Sequence, residues 1–183
     1  MMIRSFISLE IPNFVIEEII STREKIFTST GNLKWEKKDK LHVTLKFLGD
    51  IEQEKIEPLF LKITSLGEKY NKFSLELDRF GFFKSNGIPR VLWAGLKQNI
   101  ELEKFVKEID ILCSEFGFEK EKRKFNPHIT MLRIKPHYEI KNLLVFDNYK
   151  LPEIKFVGEK IIMFESKLTP SGSVYNPLKS FII

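Results

Sequence analysis

The chain has 183 residues, 43% hydrophobic and 30% charged, with a net charge of +5 at pH 7. That length supports one sizeable core or two small lobes sharing an interface, in a soluble globular protein of ordinary composition. No apolar run approaches the ~18 residues of a membrane-spanning helix, and Met1–Phe6 begins no signal-peptide pattern. The single cysteine, Cys113, has no intrachain disulfide partner and falls in an apolar helical pattern, as a core thiol does. A cytoplasmic location, no membrane and a monomer are expected. The sequence pI of about 9.1 favours anionic partners such as nucleic acid without establishing them.

Residues 2–10 read as a strand. Pro12 and Asn13 start a helix, with Phe14, Val15, Ile19, Ile20, Ile26 and Phe27 at helical spacing up to about Ser29. Gly31-Asn32 is a turn signal, and Leu33–Trp35 is extended. A strand over 41–48 ends at Gly49-Asp50. The next helix, about Glu52 to Leu66, carries Ile56, Leu59, Phe60, Ile63 and Leu66 on one stripe; Pro58 predicts a start near itself or a kink. Residues 73–78 alternate as a strand, 80–89 read as a loop, and 90–96 as another strand. Asn99 is a candidate cap for a helix to about Phe116, with Gly117 just past its end. A strand over 128–134 and a short helix over about 138–146 follow. Two or three strands close the chain, over about 153–157, 159–168 and 174–183, with a turn at 169–173.

Two of the three histidines share a motif: Leu41-His42-Val43-Thr44-Leu45 and Pro127-His128-Ile129-Thr130-Met131. Seven of the 183 residues are Thr, so the chance that two of three histidines carry Thr two places on is about half a percent, counted as a repeat search counts. The copies lie 86 positions apart, each followed by a helix and strand pairs. The pattern is one duplicated unit forming two halves of a single domain, 1–183.

On a strand, His42, Thr44 and Lys46 point to one face, while Leu41, Val43, Leu45 and Phe47 point to the core. Two such strands meeting across a cleft suit in-line displacement at phosphorus. A neutral imidazole takes a proton from the attacking oxygen, and a protonated one gives a proton to the leaving oxygen. Histidine's ordinary pKa near 6.5 populates both forms. Thr44 and Thr130 can donate to the non-bridging oxygens. Lys46 and Arg133 can add positive charge, Arg133 bidentately. Arg133 is odd-spaced from His128, so it reaches the same face only through a bulge or a strand end. A hydrogen-bonded structural role is the commoner fate of one strand histidine; the matched pair tips the balance to a shared site. No Cys or carboxylate cluster has metal-ligand spacing, and no Gly-rich phosphate loop is present. No metal and no cofactor are therefore expected, and His137, outside the motif, reads as a surface residue.

These residues resemble the 2H phosphoesterase superfamily, and within it the RNA 2′,3′-cyclic phosphodiesterases, also called 2′-5′ RNA ligases. The resemblance runs through Arg4-Ser-Phe-Ile, Trp35, Leu41–Gly49, Phe80-Gly-Phe-Phe, Pro89–Trp93, Phe125–Arg133 and Ser171–Tyr175. It implies an α+β, bilobal, duplicated fold with pseudo-twofold symmetry. Two antiparallel β-sheets would flank a central cleft, with helices on the outside. It implies metal-independent hydrolysis of an RNA 2′,3′-cyclic phosphate, tRNA fragments among the candidate substrates, to a 2′-phosphomonoester. His42 would be the acid and His128 the base, with Thr44, Thr130, Arg133 and Lys46 around the phosphate. Three alternatives stay open: a 2′-5′ ligase joining cyclic-phosphate and 5′-hydroxyl RNA ends, a non-catalytic RNA-end binding module, and a small-nucleotide cyclic phosphodiesterase.

Overall fold

Among the described residues, alternating apolar residues fold into eight antiparallel strands, with four α-helices between them. The structure, a computed structural model, describes residues 1–28, 33–170 and 172–183. The expected turn at Gly31-Asn32 and the Ser171 portion of the 169–173 turn and motif lie outside the described residues.

The strands are β1 (Met2–Leu9), β2 (Val43–Glu52), β3 (Phe73–Ser85), β4 (Ile88–Leu96), β5 (His128–Arg133), β6 (Lys155–Gly158), β7 (Lys160–Thr169) and β8 (Gly172–Ile182). The helices are α1 (Asn13–Ile26), α2 (Gln53–Gly67), α3 (Ile100–Glu115) and the short α4 (Ile140–Leu143). Spatial order is β6-β3-β4-β5-β2-β1-β7-β8. The two expected sheets are thus four-stranded halves of one sheet, joined where Val43 pairs with Ile129. The duplication is visible in the order: β1-α1-β2-α2 is answered by β4-α3-β5-α4.

Most elements form for local reasons. Asn99 caps α3, its side-chain oxygen accepting from the Leu102 amide at 2.8 Å. Pro58 lies inside α2, which starts at Gln53 without waiting for it. Pro58 sits on the solvent face, so the carbonyl it leaves unpaired can take water, while Ile56, Leu59, Phe60, Ile63 and Leu66 are buried. Residues 80–85, expected as loop, instead prolong β3. The reversal is the two-residue turn Asn86-Gly87, both at positive φ (50° and 76°), the arrangement that matches strand twist. Phe14, expected inward on α1, is exposed; Val15, Ile16 and Ile19 form the buried face.

One feature of the sheet corrects the sequence reading of Lys46. Between the pairs Ser8↔Thr44 and Ile7↔Lys46, β2 carries one extra residue, Leu45. This bulge turns the next residues over, up to a second register shift between Phe47 and Gly49. Lys46 shares a face with the buried Ile7, away from His42 and Thr44, and points to the helix layer. There its Nζ donates to Asp110 of α3 at 2.5 Å and to the Glu119 carbonyl at 2.6 Å. Asp110 also accepts from the Glu121 amide. The pair fixes the segment leading from α3 towards β5 and is nearly removed from water. Burial beside it pushes the Cys113 thiol up to about 12, consistent with an inert core residue.

Lys46→Met leaves Asp110 without its cation and is expected to cost about 3 kcal/mol, the low end for breaking a buried pair. The double variant Lys46→Met/Asp110→Leu should recover most of that in urea unfolding. Equal stability of Lys46→Met and the unsubstituted protein would refute the role given to the pair.

Candidate active site

The junction between the halves determines where the motif residues meet. Val43 and Ile129 pair directly and are fully buried, so their faces match. Continuing that antiparallel register sets His42 beside Thr130 and Thr44 beside His128, all on the opposite face. The two histidines are then diagonal neighbours, a relation spanning about 7–8 Å on a regular ladder. His128 and Arg133 both act electrostatically on His42, as groups sharing one cleft do.

Each imidazole is held in the same way. The Nδ1–H of His42 donates to the Lys40 carbonyl at 2.7 Å, and that of His128 to the Asn126 carbonyl at 2.7 Å. A carbonyl only accepts, so Nδ1 carries the proton in both neutral rings and Nε2 is left to work. The Thr44 hydroxyl donates to His42 Nε2 at 3.1 Å. Aromatic walls flank the rings. Phe6 stacks on His42 with centroids 4.9 Å apart, and Tyr175 meets its edge at 5.6 Å. Phe83 meets His128 edge-on at 4.6 Å.

A second bulge decides Arg133. Between Trp93↔Thr130 and Leu92↔Leu132, β5 carries the extra residue Met131. Leu132 therefore faces the core, and Arg133 returns to the face of His128 and Thr130, as its odd spacing required. The bulges at Leu45 and Met131 are equivalent, each three residues after its histidine. Their outcomes differ because the sequences differ. Where β5 presents Arg133, β2 presents Phe47, exposed beside Phe6. Where β5 buries Leu132, β2 buries Lys46. Arg133 is mostly exposed, lies 3.8 Å from Glu36, and is close enough to hydrogen-bond the Tyr175 hydroxyl, reaching across from one half to the other. His137 is exposed and lies four residues past Arg133, outside the motif.

Sequence reasoning missed the two anchoring carbonyls and the stacking of Phe6 on His42. Residue identity cannot signal a backbone carbonyl. Each carbonyl does sit two positions before its histidine, so the repeat could have suggested that the two would match.

Burial lowers both imidazoles. His42 falls to about 4, chiefly by desolvation, with His128 and Arg133 adding repulsion and the Lys40 carbonyl opposing. His128 is lowered by desolvation and Arg133, opposed by the Asn126 carbonyl. Both rings are neutral in the empty site at pH 7. The unfolded chain takes up these protons near 6.5 and the folded one only lower, so this contribution to stability is full above about 6.5 and is lost as pH falls through about 4. The double variant His42→Asn/His128→Asn should therefore lose less Tm than the unsubstituted protein between pH 7 and pH 4.5. Parallel Tm curves over that range would contradict the assignment.

The model of the LigT-like phosphoesterase family matches residues 9–93 and 95–175. A Methanocaldococcus jannaschii protein named RNA 2′,3′-cyclic phosphodiesterase is 34% identical over 97% of this chain and 99% of its own. A Thermotoga maritima protein of the same name is 30% identical over 96% of this chain and 92% of its own. Among solved structures, Escherichia coli LigT complexed with 3′-AMP superposes with a TM-score of 0.79 at 26% identity, covering 100% of this chain and 99% of LigT. The duplicated fold, the paired histidine strands and these matches agree, and the chain belongs to the LigT-like phosphoesterase family.

Proposed function

We propose that the chain hydrolyses the 2′,3′-cyclic phosphate end of RNA to a 2′-phosphomonoester, with His42 as general acid, His128 as general base and no metal. The observation that carries this reading is the pair of histidines facing one cleft, each with Nδ1 tied to a carbonyl so that Nε2 is the nitrogen available for proton transfer. Its full-length relatives bearing the name of that activity support the choice of substrate. A working site in the cytoplasm, as a monomer, on RNA fragments such as those of tRNA belongs to the same proposal.

His128 Nε2 takes a proton from water as the water attacks phosphorus. The bond from phosphorus to the 3′-oxygen breaks, and His42 Nε2–H gives that oxygen its proton. The 2′-oxygen keeps the phosphate. Thr44 and Thr130 donate to the non-bridging oxygens, and Arg133 offsets the charge that builds up there. With a 5′-hydroxyl in place of water, the same steps would join two RNA ends, so product analysis with both ends present measures the share of ligation.

His42 starts from a difficult position. With a pKa of about 4 it is neutral at pH 7, about 3 pK units or about 4 kcal/mol from the protonated form the role requires. A bound phosphodiester anion between the two rings supplies the missing counter-charge. The acid is thus armed by its substrate.

His42→Ala and His128→Ala are each expected to lower turnover of a cyclic-ended oligonucleotide by about 10²–10⁴, with Tm showing a folded protein and chelator leaving the unsubstituted rate unchanged. The free-enzyme pKa values belong to the pair, so kcat/KM against pH should be bell-shaped with both limbs below about 6.5, while kcat, read in the complex, shifts to higher pH. Unsubstituted rates in both variants would refute the reading, as would a 3′-phosphate product.

A further inference from the structure

Arg133 does not meet the cleft alone. Trp35 bridges to Leu132, and the Glu36 amide donates to the Met131 carbonyl at 2.9 Å, so residues 35 and 36 continue the sheet beside β5 at its bulge. Trp35, opposite the buried Leu132, packs against the core and meets Phe27 and Phe146. Strand period then turns Glu36 to the other face, that of the cleft. Its half-buried carboxylate lies 3.8 Å from Arg133 Nε and acts electrostatically on Tyr175, whose hydroxyl Arg133 also reaches. The cation offered to phosphate is thus backed by an anion that the backbone holds in place.

For an anion-binding site this arrangement is costly, because a carboxylate repels the ligand the site must hold. The reaction supplies the reason for it. The cyclic diester carries one negative charge. The 2′-phosphomonoester carries close to two above its second pKa of about 6. Arg133 unopposed would hold the product more tightly than the substrate. Repulsion from a fixed carboxylate grows with the charge of the ligand, so it weakens the dianion twice as much, in free energy, as the monoanion.

We propose that Glu36 sets the charge selectivity of the site, admitting the monoanionic cyclic end and speeding the departure of the dianionic product. This rests on the function proposed above, in which the phosphate gains a charge. A phosphate on the far side of Arg133 lies about 7 Å from the Glu36 carboxylate. Even at the dielectric of water, two unit charges that far apart repel by about a factor of three in affinity, and a second charge on the ligand squares this to about ten.

Glu36→Gln keeps the side-chain shape and the backbone link to Met131 while removing the charge. Two probes that differ by one charge, adenosine 2′-monophosphate and its methyl ester, report on it in binding measurements at pH 8 and low salt. The variant should bind the monophosphate about tenfold more tightly than the unsubstituted protein does, and the methyl ester about threefold. Product inhibition of cyclic-ended oligonucleotide turnover by adenosine 2′-monophosphate should strengthen by the same tenfold, with KM falling by about threefold at most. The gain should shrink as salt rises. An equal change for both probes, including no change in either, overturns the proposal. Weaker binding of both means that Glu36 only holds Arg133 in position, and overturns it too. A protein that turns over no cyclic-ended RNA, yet separates the two probes as expected, refutes the proposed function and upholds the charge selectivity.

Discussion

The pairing of Val43 with Ile129 is the constraint on which the rest depends. Each half of the molecule is a four-stranded sheet, and this contact is where the halves become one. Because both residues are buried with the core, the residues on either side of them must turn the other way. Four side chains, His42, Thr44, His128 and Thr130, are thereby placed on one patch by strand period alone. No side-chain interaction needs to pull the two histidines together. The backbone ladder does so, and the carbonyls of Lys40 and Asn126 then decide which nitrogen faces the cleft.

The bulges at Leu45 and Met131 divide labour between the halves. Duplication alone would give two identical walls. By turning each strand over just past its threonine, the bulges let the following two residues be exchanged freely between core and cleft. One half spends its cation on the core, as Lys46 with Asp110, and shows Phe47 to solvent. The other buries Leu132 and shows Arg133 to the site.

Much of this was legible in the residues. The duplicated motif located both histidines and both threonines, because period two survives wherever one strand face is buried. The odd spacing of Arg133 announced the Met131 bulge. The even spacing of Lys46 hid the Leu45 bulge, since a regular strand satisfied the expectation without one. A bulge is set by pairing with the neighbouring strand, and β1 is remote from Lys46 in sequence. The extension of β3 through residues 80–85 was obscured by its glycine, although Asn86-Gly87 is a hairpin signal that could have been weighed more heavily. The aromatic walls come from β1, β3 and β8, and no local pattern brings Phe6, Phe83 and Tyr175 to the histidines.

The central claim is that both Nε2 atoms face one phosphate. Nitrogen-15 NMR of the imidazoles, titrated with pH with and without adenosine 2′-monophosphate, tests it most directly. Free protein should show both rings as the Nδ1–H tautomer and neutral at pH 7. With the nucleotide bound, both Nε2 resonances should move and the proton affinity of the pair should rise. A response confined to one histidine, or Nε2–H tautomers in the free protein, would contradict the account.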